Sequence, residues 1–398
     1  MAKRLVCPYC YETFTAREIL FRCNTRLSRT GQRCLAERDD VLLQRLGQRR
    51  EGGPVFAADG RRTTAPCPTC KNETTYRVCP VCHSTLPAQF GFLGNRLIAM
   101  VGARDSGKTV LMTVLLHELM NRIGERYRIS LIGADDATML RFGKEYQDRL
   151  YQEGQMLIGT RTAGARINNQ VDPLVFRFGV TRPRLFRDTR KHTVLSFFDT
   201  AGEDFNSRES VELNTRYLAN ADGIILVLDP LQLPGARELA LPGTLLPGTD
   251  EVDAPVNVLA RITNLLLSRV GRRGAAVSRV PIAVVFAKMD ALVHQLDAGS
   301  PLRAQPPDGG RYDVADGLDV HHEVRHLLKR WDGVGLDQTL ENNHASYRYF
   351  GVSALGRTPT PEGRVAATGI QPYRIADPLL WLLSEFGALP RTRRAGRG

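Results

Sequence analysis

The chain has 398 residues, 42% of them hydrophobic and 24% charged, a formal net charge of +12 and eight cysteines. That length exceeds one ordinary core and suits two or three domains, and the apolar share excludes an intrinsically disordered chain. Apolar runs fall short of the roughly 18 residues of a membrane span and the N-terminus lacks a signal-peptide h-region, so the expectation is a cytoplasmic protein with reduced thiols, whose cysteines bind metal and form no disulfides.

From the N-terminus, every cysteine falls within the first 90 residues. Cys67-Pro-Thr-Cys70 and Cys79-Pro-Val-Cys82 make a compact C-x2-C…C-x2-C set, the spacing of a zinc ribbon in which two tight turns present four sulfurs tetrahedrally. Cys7-Pro-Tyr-Cys10 with Cys23 and Cys34 is a looser set that needs an inserted loop around residues 29–33, and it predicts a second Zn2+ site. An interleaved pairing across the two sets, or His83 in place of Cys82, are the alternatives. Sites closed by four protein ligands are structural, so no zinc catalysis is expected. Between the sets, Val41, Leu42, Leu43 and Leu46 have helical spacing, and Gly52-Gly-Pro54 ends the pattern. Residues 1–50 thus predict a zinc ribbon with a linker helix, and 51–90 a second ribbon. The first 96 residues hold 16 basic and 8 acidic side chains, a surplus that eight thiolates on two Zn2+ would reduce from +8 to +4. A nucleic-acid partner is therefore the less favoured reading of the charge, and a solvated basic surface the better one.

Residues 91–390 predict one large domain. It opens on the apolar strand Leu97-Ile-Ala-Met-Val101, which runs into Gly102-Ala-Arg-Asp-Ser-Gly-Lys-Thr109 and then into a segment of helical apolar spacing. This is the G-x-x-x-x-G-K-[ST] phosphate loop in its required strand–loop–helix context. Gly102 and Gly107 let the backbone through Arg104, Asp105 and Ser106 wrap a phosphate chain, with the loop N–H groups and the helix N-terminus supplying positive potential. Lys108 would reach the β- and γ-phosphates, and Thr109 would hold Mg2+. Only seven of the 54 basic residues are lysines, so a lysine at a motif position is unlikely to be accidental. Arg104 sits inside the loop, where it either faces solvent or acts on transition-state charge.

From here strand and helix alternate, the signature of an α/β fold with a mostly parallel sheet. Strands are predicted over 97–101, 127–133, 174–180, 192–199, 223–229, 280–287 and 347–353, and helices over 108–123, 136–153, 255–270, 319–331 and 376–386. Residues 230–253 and 296–317, rich in Pro and Gly, read as surface loops. The basic tail over 391–398 reads as disordered. His322 and His326 lie one turn apart, but the charged neighbours suit a solvated face better than a metal site.

Three downstream motifs narrow the nucleotide. The strand from Thr193 ends in Asp199-Thr-Ala-Gly-Glu203, which places Asp199 to hold Mg2+ through water and the Gly202 N–H to sense a γ-phosphate. The strand from Pro281 ends in Ala287-Lys-Met-Asp290, and the strand from Tyr347 ends in Ser353-Ala-Leu355. In this order the four motifs resemble those of the TRAFAC-class GTPases, which implies a P-loop three-layer sandwich binding GTP and GDP with Mg2+. By that resemblance Asp290 accepts the guanine N1–H and exocyclic amine, Lys288 packs over the base, and the Ala354 N–H, in the loop from Ser353 to Leu355, meets O6. Ala287 departs from the family's Asn or Thr, which ties this loop to the phosphate loop. Glu203 stands where Ras-like enzymes carry a water-orienting Gln, so hydrolysis is expected to be slow or to need a partner's group. For the first switch, Thr160 and Thr162 are the candidates, and Thr162 is preferred. Zinc ribbons joined to an enlarged GTPase domain further resemble the double-GTPase-type proteins of bacterial, especially actinobacterial, gene clusters. That resemblance implies a GTP-hydrolysing switch in a conflict or signalling system, with a second GTPase or an effector as protein partner. An RNA- or ribosome-binding factor and a weakly hydrolysing scaffold are the competing readings.

Overall fold

In a computed structural model of the chain, the described residues are 4–28, 31–87, 90–92, 96–103, 105–157, 173–182, 189–197, 215–242, 244–248, 254–271, 277–307, 309–360 and 362–392. The N-terminal part is built from short strands around three C-P-x-C turns. In each turn the residue after the second cysteine is left-handed: Tyr11 at φ 59°, Lys71 at 62° and His83 at 59°. Each also repeats one hydrogen-bond pattern, in which the first cysteine accepts from that left-handed residue and donates to the next, as in Tyr11 N–H to the Cys7 carbonyl at 3.1 Å and Cys7 N–H to that of Glu12 at 2.9 Å. The linker helix is shorter than the spacing predicts, Asp40–Leu46, because Asp39 caps its start by accepting from Leu42 N–H and left-handed Gly47 stops it. Arg77, fully buried, braces this part by donating to the carbonyls of Phe90 at 2.6 Å and Gly60 at 2.5 Å.

The large domain carries two sheets. Four parallel strands lie in the order β1 (Ile98–Gly102), β5 (Gly223–Leu228), β6 (Ile282–Phe286) and β7 (Tyr347–Gly351). All residues of β5 and β6 are buried, which is why both read as continuous apolar runs without alternation. The other sheet is antiparallel, in the order β2 (Ile129–Gly133), β3 (Leu174–Arg182) and β4 (Thr189–Phe197). Its edge strand β2 alternates buried and exposed residues, as a strand with one wet face must. Among the described residues no ladder joins β1 to β4. Instead the Tyr217 hydroxyl sits between them, accepting from Met100 N–H at 2.9 Å and lying 3.3 Å from the Ile98 carbonyl and 3.5 Å from that of Ser196.

Helices cover these sheets in the expected α/β plan. The expected helix over 108–123 is divided at Asn121 into α1 (Lys108–Met120) and α2 (Arg122–Tyr127). The next, α3, starts as Asp136–Arg141 and continues over Phe142–Gln152 as a wider π-helix. Then come α4 (Pro255–Gly271), α5 (Val314–Arg330), α6 (Val334–Asn343) and α7 (Asp377–Glu385). Helix α5 begins five residues earlier than its apolar spacing suggests, since the Asp313 carboxylate accepts from the Ala315 and Asp316 N–H groups.

The two supposed surface loops are partly core. In the first, Leu231, Leu233 and Ala236 are buried on the short turns Pro230–Gln232 and Pro234–Glu238. In the second, Leu302 and Tyr312 are buried, and Arg374 gathers the segment by donating to the carbonyls of Pro301 and Ala304 while pairing with Asp316 and Asp377. Only the first two residues of the tail, 391 and 392, are described. Arg391 pairs with Glu385, and Thr392 N–H donates to the Tyr312 carbonyl at 2.9 Å, while 393–398 lie outside the described residues. No described helix is long and apolar enough to cross a membrane.

Candidate nucleotide site and metal centres

The phosphate loop leaves β1 where the backbone is most crowded. A Cβ on Gly102 would stand 2.4 Å from the Val227 carbonyl oxygen of β5 and 2.6 Å from Ser106 Oγ, so only glycine fits. Gly107, at φ +85°, turns the chain into α1, and the carbonyl of Gly107 accepts the helix bond from Leu111. Asp105 is left-handed as well, at φ 58°, a strained conformation of the kind stored at ligand sites. Lys108 is buried on the first turn of α1 beside half-buried Thr109. Ser106 is 1% exposed, and its hydroxyl has no hydrogen-bond partner among the described residues. A buried polar group left so, above two glycines with no side chain, is a cradle that suits an oxyanion.

The loops after β6 and β7 meet beside it. Lys288, left-handed at φ 55°, donates from Nζ to the Asp105 carbonyl at 2.7 Å and to Asp229 Oδ2 at 2.6 Å. The tie to the phosphate loop expected from an asparagine at position 287 is thus made by the neighbouring lysine, with buried Ala287 beneath it. Ser353 Oγ donates to Asp290 Oδ1 at 2.6 Å and accepts from Gly356 N–H at 2.8 Å. Met289 N–H bonds the Val352 carbonyl at 3.1 Å, and Ser353 and Tyr373 exchange two backbone bonds, which fixes the stretch carrying Ala354 and Leu355. Gly102, Asp105 to Thr109, Lys288, Asp290 and Ser353 to Leu355 therefore gather at the C-terminal ends of β1, β6 and β7. Arg104, Thr160, Thr162, Asp199, Gly202 and Glu203 lie outside the described residues. Asp229 went unrecognised in the sequence. Its signal was there, an acid ending a wholly apolar strand before a proline, and it is 0% exposed in the structure.

All eight cysteines are buried and form two groups of four. The expected pairing by proximity in sequence is wrong, and the interleaved alternative is right: Cys7 and Cys10 join Cys79 and Cys82, while Cys23 and Cys34 join Cys67 and Cys70. The reason is β-pairing, because Leu20–Arg22 lies antiparallel to Arg77–Val78 and so carries the first turn to the third. His83 is no ligand, since its Nδ1 faces Asp39 at 3.0 Å. In the first centre Cys7 lies 3.8 Å from Cys82 and Cys10 3.8 Å from Cys79, and in the second Cys23 lies 3.6 Å from Cys70 and Cys34 3.7 Å from Cys67. Four sulfurs at about 2.3 Å from a tetrahedral Zn2+ would be about 3.8 Å apart, so both sets fit zinc. N–H groups of Tyr9, Thr25 and Val81 point at sulfurs of Cys7, Cys23 and Cys79, each at 3.4 Å. Burial pushes the Cys7 thiol well up, whereas hydrogen bonds from Cys10, Cys7 and Cys79 hold Cys82 well below the usual thiol range. His322 and His326 stand exposed on α5, outside both groups.

A family model described as Double-GTPase 2 matches residues 96–306, over half of the chain. The chain belongs to the Double-GTPase 2 family. Its relatives include a putative ESX-1 scaffolding and assembly protein, SaeC, of Mycolicibacterium smegmatis, 28% identical over 409 residues that cover 96% of this chain and 99% of that protein. Solved structures that resemble it include the Ski7 GTPase-like domain of S. cerevisiae bound to GDP and inorganic phosphate, at a TM-score of 0.33 and 13% identity, covering 76% of this chain and 51% of that one. The same domain bound to GTP aligns at a TM-score of 0.30 and 13% identity over 65% of this chain and 43% of that one. This chain thus spans about half the length of the Ski7 chain.

In this Double-GTPase 2 protein the first four-cysteine group is built into the GTPase-like domain. Ser196 Oγ, on β4, donates to the Pro8 carbonyl at 2.7 Å and lies 3.4 Å from the Tyr11 hydroxyl. Asn220 donates to the Tyr11 carbonyl at 3.0 Å, Arg216 pairs with Glu12 at 2.9 Å, and Tyr11 packs on Tyr217 with ring centroids 4.8 Å apart. Tyr9 adds a bond to Asp135 at 3.0 Å. Val175 and Val194 share the apolar cluster that contains Cys7, Cys10, Cys79 and Cys82. Among the described residues the cysteines of the second centre form a separate apolar cluster, against which Phe56 packs.

Proposed function

We propose that this chain binds GTP and GDP with Mg2+ and hydrolyses GTP slowly as a molecular switch, with its two zinc centres holding a protein-docking module. The observation that carries the reading is the meeting of the phosphate loop with the Lys288–Asp290 and Ser353 loops at one end of the parallel sheet. Backbone N–H groups from Gly102 to Thr109 and the Lys108 ammonium would hold the phosphates. Asp290, oriented by Ser353, would read the guanine edge, because an ionised carboxylate accepts two bonds from guanine where adenine offers no matching donors. Thr109 and Asp199 would hold Mg2+, which supplies charge neutralisation at the phosphate oxygens. Glu203 in place of a water-orienting glutamine supports a low intrinsic rate that a partner raises.

The likeness to the mycobacterial scaffolding and assembly protein favours one second reading, a nucleotide-bound scaffold that hydrolyses little and assembles with protein partners. A conflict or signalling system with a second GTPase is the process read from the family resemblance. Titration of labelled GTP, GDP and ATP decides the nucleotide. The expected outcome is GTP binding at least ten-fold tighter than ATP, abolished by Lys108→Ala and weakened by Asp290→Asn. Equal affinity for ATP and GTP would overturn the guanine assignment. Phosphate release measured at saturating GTP separates the switch from the scaffold.

A further inference from the structure

Lys288 carries more hydrogen bonding than a base-stacking lysine needs. Its ammonium touches two other loops at once, the Asp105 carbonyl in the phosphate loop and the Asp229 carboxylate after β5. Asp229 is itself fixed: its Oδ1 accepts from Leu231 N–H at 2.9 Å, and Pro230 and Leu231 of the turn it caps are buried. It has no solvent exposure, while the Lys288 side chain keeps about a third of its own (36%). A buried carboxylate with one cation partner is expensive to strand, so the pair resists opening. The stem of Lys288 is consequently laid along Gly107, with Cε 3.6 Å and Cγ 4.0 Å from the place a Cβ would take there.

We infer that Asp229 is a positioning residue of the nucleotide site: it neutralises and anchors the Lys288 ammonium, so that the lysine presents its aliphatic stem and not its charge to the bound nucleoside. Ala287 makes this anchor necessary, because no side-chain amide there can join the base loop to the phosphate loop. The three loops after β1, β5 and β6 are then joined through one ammonium group. Two of its three N–H donors are engaged inside the protein, which leaves phosphate binding to Lys108.

The inference rests on the guanine-nucleotide reading, and a double-mutant cycle on the full chain separates the two. Dissociation constants for fluorescent GTP are measured for Asp229→Asn, Lys288→Met, the pair together, and Asp290→Asn. The expected result is a loss of about ten-fold for Asp229→Asn and for Lys288→Met, with the pair no worse than Lys288→Met alone. The pair leaves no unpaired buried charge, so it stays informative if Lys288→Met alone, which strands the buried Asp229 carboxylate, fails to fold. A Lys288→Met loss with Asp229→Asn within two-fold of wild type would overturn the anchoring role and leave the guanine site standing. So would a further ten-fold loss on adding Asp229→Asn to Lys288→Met. GTP binding unchanged by both Lys288→Met and Asp290→Asn would remove the guanine site and the inference together.

Discussion

In the proposed guanine site, the Ser353 hydroxyl would set the binding edge by holding Asp290. Its donation to Asp290 Oδ1 occupies one carboxylate lone pair and leaves the others to accept elsewhere, while its acceptance from Gly356 N–H holds the loop itself. A hydrogen bond to a charged group contributes roughly 1.5–3 kcal/mol. Ser353→Ala is therefore expected to weaken GTP binding about ten-fold, with little change in ATP binding, as read by competition titration. At this scale a motif dictates residue type and spacing at Gly102, Gly107, Lys288 and Asp290, whose nucleotide contacts belong to the proposed function. The sequence was least legible at Asp229, whose role comes from a partner 59 positions away and from burial that composition cannot reveal. The asparagine missing at position 287 looked like a lost tie for the same reason, since the neighbouring Lys288 supplies the tie across space.

Among the elements, the central strands were plain because full burial erases alternation, and the helices were plain where one face is apolar. Helix α6 was not anticipated, and its surroundings explain why. It is short, and it is held by packing of Leu336 and Leu340 and by the bond of Tyr349 to Asp337, all contacts distant in sequence. At its end His344 is buried and shares a 2.9 Å hydrogen bond with Thr263 of α4, while its Nδ1 has no partner among the described residues. Burial pushes its pKa down to about 4 from the usual 6.5. A histidine lowered in the folded state contributes stability that is present above the unfolded value and is lost as pH falls from about 6.5 toward 4. The loss amounts to about 3 kcal/mol once both states are protonated. Urea unfolding at several pH values is expected to show that slope in the wild type and a shallower one in His344→Asn.

For the whole molecule, the cysteine ligands could be counted from the sequence but not sorted. Two C-x2-C turns eight residues apart suggest one centre, yet the pairing of Leu20–Arg22 with Arg77–Val78 sends them to different centres. Their surroundings make the two centres unequal. The first is joined by a buried hydrogen bond to β4 and by a half-buried one to Asn220 near Tyr217, and the second is not in that cluster. Cys79→Ser is expected to lower the thermal midpoint and to reduce GTP affinity roughly five-fold or more, a usual size for coupling between sites. Cys67→Ser should leave affinity within about two-fold, with zinc content measured on both proteins. Equal effects from the two variants would mean that the centres serve folding alone.

The Tyr217 hydroxyl, set between β1 and β4, has a further consequence. Where a side-chain bridge stands in place of a ladder among the described residues, the two sheets could change their mutual twist without breaking a described backbone pair. The amide of Met100 lies at that bridge with a side-chain oxygen as its acceptor. Its hydrogen–deuterium exchange is expected to run faster than that of the ladder amides in β5 and β6, and to accelerate further in Tyr217→Phe. An amide just upstream of the phosphate loop would then act as a clock for how often the two halves of the domain come apart.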